Sequence, residues 1–410
     1  MLDNPQHTAP YDETSFRYEG WRIVAVCFLL ATFGWGLGFY GQSVYVAELQ
    51  RARGWPASLI SSGTTFFYLF SALLVVFVGE AVRKYGPRPS LIAGTLAMAA
   101  AGVAIGAVRE PWQLWLADAV LAFGWAGTSL AMITNTISLW FEHKRGMAIS
   151  LALNGASFGG IVGVPLLVVM ISHIGFANAM FATSGAMLVL LVPLILLIVG
   201  RPPDLHGWRA AAETKSSTEI RKHALRDVGF LTVTIAFSLV LFAQVGFIVH
   251  LISFLDPVIG RERAAVAVAV LTAMAVVGRV LFSMVIDRLN QRLASALSFL
   301  SQAAALGVVI AMHNDYVLIA ACAVFGFSVG NLITLPSLIV QQEFDSAAFG
   351  VLISLNTAIN QVTYAFGPGV VGFLRDWSGG YALPFYLCIA LEVVAAALIL
   401  VRGKPRAKVS

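Results

Sequence analysis

About twelve apolar runs, each near the roughly 20 residues that an α-helix needs to cross bilayer hydrocarbon, occupy most of the 410-residue chain. They lie near 21–47, 58–79, 90–108, 112–139, 146–172 and 176–199. After a polar stretch they resume near 228–254, 264–286, 293–312, 316–340, 347–374 and 381–401. Hydrocarbon offers the backbone no hydrogen-bond partner, so each run must satisfy its own N–H and C=O groups, as a helix does. The spacing predicts an all-α membrane protein of six spans, a linker and six spans. A content of 59% hydrophobic and 11% charged residues agrees. The expected organisation is a tail at 1–20, a bundle at 21–200, a linker at 201–227, a second bundle at 228–402 and a tail at 403–410. The first twenty residues carry no apolar core or small-residue cleavage site of the kind that marks a signal peptide.

The placement of charge predicts orientation. Putting both termini in the cytoplasm assigns 19 of the Lys and Arg residues to that side and six to the other, the asymmetry that membrane insertion favours. The net charge of +5 follows from these loops and gives no reason to expect nucleic acid. A plasma (inner) membrane location with cytoplasmic termini is the expectation. Cys27, Cys322 and Cys388 sit singly in apolar runs, as small buried side chains do, and no ligand spacing suggests a metal or cofactor. No G-x-x-x-x-G-K-[ST] loop or catalytic cluster points to an enzyme.

The remaining basic residue is Arg279, about fifteen residues into the run AAVAVAVLTAMAVVGRVLFSMVI. A guanidinium stays charged at any ordinary pH and needs protein partners, a watery cavity or an anion when placed at membrane depth. Arg279 is therefore a candidate for a substrate carboxylate, the alternative being a fixed cation that holds helices together. The intramembrane acids are Asp118 and Glu392, and His250 is the histidine placed in an apolar run, six residues before Asp256. Each could carry a proton or make a structural hydrogen bond. Asn356, Asn360 and Tyr364 recur every four residues and share a helix face, with Gln361 beside them. Asn331, Thr128, Ser129 and Gln42 offer further donors for a polar path. Phe39, Tyr40, Phe66 and Phe67 are expected to pack helices rather than stack on a ligand.

The two halves echo each other. Gly79-Glu-Ala-Val-Arg83-Lys-Tyr-Gly86-Pro-Arg88 follows the second run and Ser283-Met-Val-Ile-Asp287-Arg288-Leu-Asn-Gln-Arg292 the eighth, with Gly79, Arg88, Asp287 and Arg288 as the expected gating or structural loop residues. The fifth run carries Gly155, Gly159, Gly160, Gly163 and Pro165, and the eleventh carries Gly367, Pro368, Gly369 and Gly372. Matched small residues predict closely packed, bendable helices in equivalent places, the trace of a duplicated unit.

These residues resemble the major facilitator superfamily over essentially the whole chain. Within it the sequence looks most like the branch of monocarboxylate transporters and oxalate/formate antiporters. The residues that carry this are Glu19-Gly20-Trp21, Gly54-Trp55-Pro56, Trp140-Phe141 through Lys144-Arg145-Gly146 to Ala148, and Gly278-Arg279. The resemblance implies twelve transmembrane helices in two pseudo-symmetric six-helix bundles, with spans one, four, seven and ten lining a central cavity. It also implies a monomeric secondary transporter working by alternating access, with Arg279 matching the eighth-span arginine that pairs with a substrate carboxylate. Asp118 and His250, on cavity-lining spans, become the candidates for proton coupling, and Glu392 falls on an outer helix.

Two positions depart from the pattern: Arg83 stands where the first loop usually has an acid, and Ala275 where animal monocarboxylate transporters have an Asp one turn before the arginine. Oxalate transporters of this branch also carry a Lys in the eleventh span, and 347–374 holds none. A monocarboxylate, lactate- or pyruvate-sized or larger, is the expected substrate, moved with protons or against a counter-anion. A carboxylate exchanger and a non-transporting carboxylate sensor are the other readings.

Overall fold

The computed structural model describes residues 13–15, 17–200, 216–285, 289–344 and 348–401, which form helices joined by short turns with no strand among them. The first bundle contains α1 (Gly20–Arg53), α2 (Ala57–Val75), α3 (Pro87–Ala107), α4 (Pro111–Ile137), α5 (Arg145–Ile174) and α6 (Phe176–Ile198). The second contains α7 (Val228–Ile259), α8 (Arg261–Ser283), α9 (Gln291–Ala311), α10 (Asp315–Glu343), α11 (Phe349–Ser378) and α12 (Ala382–Leu400). Eleven of these are long and apolar enough to cross a membrane; α11 has the length, 30 residues, but Asn356, Asn360 and Gln361 dilute its apolarity. The twelve helices form the two pseudo-symmetric bundles expected. An even number of crossings puts Gly20, the linker and Val401 on one face, the linker face, and the turns after α1, α3, α5, α7, α9 and α11 on the far face. Of the expected linker, the short helix Ser216–Ala224 packs against α11, while residues 201–215 lie outside the described set.

The internal symmetry extends to the turns. Gly54 after α1 and Gly260 after α7 have φ of 66° and 82°, and Gly175 after α5 and Gly379 after α11 have 79° and 73°. These left-handed values are cheap only without a Cβ, so equivalent far-face hairpins in each half use glycine to reverse the chain. The α3–α4 and α9–α10 turns use capping instead: Gln113 Oε1 accepts from Glu110 N at 3.1 Å, and Asn314 Oδ1 accepts from Tyr316 N at 3.0 Å.

Inside the bundles, helices touch through backbone. A Cβ on Gly155 would strike the Phe28 carbonyl of α1, and one on Gly159 the Thr32 carbonyl. In the second half a Cβ on Gly367 would strike the Phe242 carbonyl of α7 in the same way. The matched glycines of the fifth and eleventh spans thus perform one task, seating α5 on α1 and α11 on α7. Lipid tails are as apolar as leucine, so such close van der Waals approach is what holds membrane helices together. The first half adds a feature that the second lacks among the described residues. Both α1 and α5 contain a π turn, at Gly36–Tyr40 and Gly159–Gly163, and the two turns lie against each other. Such bulges reorient a helix locally and concentrate at functional sites.

Gly155→Leu should cost about 1–3 kcal/mol or prevent assembly, because α1 backbone occupies the space. Gly163→Ala, with nothing within 4 Å of the added carbon, should leave thermal stability in detergent unchanged. Equal melting of the two variants would refute the packing argument.

Candidate functional site

Among the described residues, the hydrogen bonds and ion pairs that join the two bundles gather between the membrane middle and the far face. Gly369 and Gly372 let α11 lie against Thr65, Ser61 and the Ala57 backbone of α2, and Gly369 N–H donates to the Thr65 hydroxyl at 3.2 Å. Where this seam meets the far face, the Asp376 carboxylate accepts from Ser58 N at 2.6 Å and Ala57 N at 3.3 Å. A carboxylate from one bundle thereby satisfies orphan N–H groups and the positive dipole end of a helix in the other. Glu48 on α1 pairs with Arg261 on α8 at 2.9 Å, Arg51 approaches Asp256 at 3.8 Å, and Ser253 on α7 donates to Gln50 on α1. Accordingly α1 is buried on every side from Tyr40 to Leu49, but keeps Thr32, Phe33, Trp35 and Gly36 partly exposed nearer the linker face. The far face is sealed.

Arg279 lies on the linker-face side of that seal. Gly278 lets α8 press on the Phe327 carbonyl of α10, and Gly330 lets α10 approach the Ala275 carbonyl, which brings the Gly330 carbonyl oxygen to 3.4 Å from Arg279 Nε. That single long bond is weak. Half-buried, the guanidinium has no carboxylate partner among the described residues. Across the bundle boundary, the ring of Tyr40 in the π turn of α1 and the side chain of Thr272 of α8 meet over Gly160 of α5, within electrostatic reach of Arg279. Aromatic rings continue from there: Phe39 is 6.3 Å from Tyr68, and Tyr68 is 5.6 Å from Tyr364 of α11, edge to face.

A second arginine shows what a structural cation looks like in this fold. Arg292, 2% exposed, donates to Glu343 at 2.6 and 2.7 Å, to Thr232 at 3.1 Å and to the carbonyls of Gly229, Ile399 and Val401. It ties α7, α9, α10 and α12 together. In the sequence Arg292 is one more loop charge, and its place in the repeated basic segment is the signal of its role.

The other predicted residues separate into several environments. Asn331, beside Gly330, has a buried Oδ1 with no hydrogen-bond partner among the described residues, as do Asn356 at its Oδ1 and Gln42 at its Nε2. Gln42 Oε1 accepts from Thr64 at 2.9 Å. Asn360 turns to α7, where it accepts from Ser238 at 2.8 Å, while Tyr364 meets α2, so the polar stripe of α11 divides between two neighbours. Thr128 bonds the Gly124 carbonyl at 3.0 Å, and Ser129 caps the second part of α4 by accepting from Met132 N. Both shape a break in that helix. Asp118 lies within the first bundle against Gly63 of α2, and Glu392 is buried with both carboxylate oxygens unpartnered among the described residues. His250 is fully buried, with Nε2 3.0 Å from the Pro368 carbonyl and Nδ1 3.1 Å from the Tyr381 hydroxyl. Of the loop residues, Gly79 faces Asn135 and Arg88 donates to the Leu196 carbonyl at 2.6 Å, both within the first bundle. Asp287 and Arg288 lie outside the described residues.

Two motif segments that are far apart in sequence touch. Glu13 accepts from the backbone N–H groups of Glu142, His143 and Lys144 at 2.7, 3.0 and 2.7 Å, Trp21 packs on Phe141, and Tyr18 bonds the Trp140 carbonyl. The entrance of α1 is therefore locked to the α4–α5 loop.

The family model for the Major Facilitator Superfamily matches residues 24–305 and 258–410. The chain belongs to the major facilitator superfamily. It is 30% identical to the MFS-type transporter pynF of Aspergillus niger over 391 residues, covering 92% of this chain and 87% of that one. It is 25% identical to monocarboxylate transporter 13 of Bos taurus over 407 residues, covering 93% and 88%. A crystal structure of a D-xylose-proton symporter superposes with a TM-score of 0.70 at 15% identity, covering 95% of this chain and 99% of that one, which places the fold. As a multi-pass member of this superfamily, the protein holds its bundles in a far-face-sealed arrangement.

Removing the inter-bundle cap should unseat it. Asp376→Ala is expected to weaken the sealed state by about 1 kcal/mol, roughly fivefold in population. Spin labels at Arg109 and Tyr316, exposed on opposite bundles at the far face, would report this as a longer-distance population; an unchanged distribution would assign the seal to other contacts.

Proposed function

We propose that the protein is a monomeric secondary transporter of organic monocarboxylates in the plasma (inner) membrane, with both termini cytoplasmic. The linker face carries most of the basic residues, so it is assigned to the cytoplasm. The far-face-sealed arrangement is then the inward-open state of an alternating-access cycle.

The observation that carries the substrate reading is the contrast between the two arginines. Arg292 is saturated by a carboxylate, a hydroxyl and three carbonyls, whereas Arg279 has one long bond to a carbonyl. Arg279 retains N–H donors arranged as a planar fork that matches a carboxylate. One fixed cation suits a monoanion, and the name of the bovine relative fits that class. Tyr40 and the rings of Phe39, Tyr68 and Tyr364 that continue from it are assigned as an apolar wall for the body of the anion, and Asn331, next to Gly330, supplies a polar atom beside the guanidinium. Moving an anion into a negative-inside cell costs about 2.3 kcal/mol per charge per 100 mV, which a co-transported proton cancels. His250 and Asp118 are the titratable groups on lining helices available for that proton.

Arg279→Ala should abolish carboxylate uptake in reconstituted vesicles while the protein remains folded. Arg279→Lys should lower uptake at least roughly tenfold, because a point charge does not reproduce the bidentate fork. Full uptake by the alanine variant would remove Arg279 from the site. Coupling is read by comparing uptake under an inward pH gradient without internal anion to uptake with internal anion and no gradient. Activity only in the second condition would replace proton symport by anion exchange.

A further inference from the structure

A chain of hydrogen bonds runs from His250 through the far-face seal into the other bundle. His250 Nε2 contacts the Pro368 carbonyl of α11 at 3.0 Å and Nδ1 the Tyr381 hydroxyl at 3.1 Å. The Tyr381 hydroxyl donates to Ser253 Oγ at 2.9 Å, and the Ser253 hydroxyl donates to Gln50 Oε1 on α1. Four links require four hydrogens. The two ends, a backbone carbonyl and an amide oxygen, only accept. Tyrosine and serine supply one hydrogen each and a neutral imidazole one more, so the chain is one hydrogen short. The fourth exists when the imidazole carries both Nδ1–H and Nε2–H, or when Gln50 turns its amide and donates from Nε2.

We propose that His250 is the proton-binding group that governs the far-face seal, through the direction of this chain. A proton from far-face water adds to Nδ1; the Tyr381 hydrogen turns from Nδ1 to Ser253 Oγ, and the Ser253 hydrogen turns from Tyr381 to Gln50 Oε1. The imidazole gains one positive charge and no covalent bond other than N–H forms. In this state the chain links α7, α11 and α12 to α1 without a break. Loss of the proton leaves three hydrogens for four links; where Gln50 does not reverse its amide it parts from Ser253, and the seal loosens. Tyr381 and Ser253 are partly exposed while His250 is not, so they offer the route by which the proton reaches the ring.

The other charged groups around the chain are occupied with one another. Arg375 and Asp376 of α11 pair at 2.8 Å, Arg51 of α1 approaches Asp256 of α7 at 3.8 Å, and Glu48 of α1 pairs with Arg261 of α8 at 2.9 Å. The sign follows: acidification through the histidine range favours the sealed far face, and alkaline conditions favour its opening.

This inference rests on the transport reading and adds the identity and action of the coupling group. The test uses the full chain in vesicles without substrate, spin-labelled at Arg109 and Tyr316, with distances recorded from about pH 8 down to about pH 4. The native Cys27, Cys322 and Cys388 are buried and do not compete for label. The sealed population should rise roughly fivefold toward acid, the effect of gaining one hydrogen bond. His250→Gln should flatten the profile. Gln50→Leu should also flatten it with the histidine intact, and supplies the answer if the His250 variant does not fold. A pH-independent wild type, or a Gln50→Leu profile equal to wild type, would overturn the inference. Arg279→Ala should keep the pH response while losing carboxylate uptake. Arg279-dependent uptake without a pH response therefore defeats only the gate, and a pH response without Arg279-dependent uptake defeats only the substrate reading.

Discussion

A backbone amide without a partner in hydrocarbon costs several kcal/mol, and the architecture of this protein follows from that penalty. It commits each apolar run to a helix and leaves helices to associate by close contact rather than by hydrophobic exclusion. Glycine is where the contact becomes backbone to backbone: Gly155 on Phe28, Gly367 on Phe242, Gly278 on Phe327, Gly330 on Ala275. The last two also position the site, because they bring α10 close enough for a carbonyl to face Arg279.

Among the described residues, the polar contacts between the bundles gather in few places under the same penalty. At the far face, ion pairs and a borrowed helix cap hold the bundles together through Asp376, Glu48 and Arg261. Toward the linker face, the weakly bonded guanidinium of Arg279 lies beside Gly330 and Asn331 of α10. Contacts that cross the boundary must form and break if the bundles rock. Those within a bundle need not break, and the Arg292 network is the more fully bonded for it.

The halves are symmetric in scaffold and different in content. Equivalent turns use glycine at positive φ, and equivalent helices are seated by glycine, yet the π turns belong to α1 and α5, while Arg279 and the His250 chain belong to the second half. Tyr40 stands between the two specialisations, in a π turn, beside Thr272 over Gly160 and within electrostatic reach of Arg279. A duplicated fold supplies the hinge, and the asymmetric residues supply the chemistry.

The sequence by itself determined the number of helices, their approximate ends, the duplication and the single arginine at membrane depth, because apolar length, small-residue spacing and the cost of a buried charge are local properties. Glu392 shows the limit of that reasoning: its burial was legible, and its environment was not. Only the tertiary structure decided that Thr128 and Ser129 serve a break in α4, that Asn360 turns to Ser238, that Arg292 is a staple and Arg279 is not, and that His250 ends a chain leading to Gln50. Those distinctions depend on which helix lies opposite, at which height and at what distance, and periodicity along one helix carries no information about its neighbour.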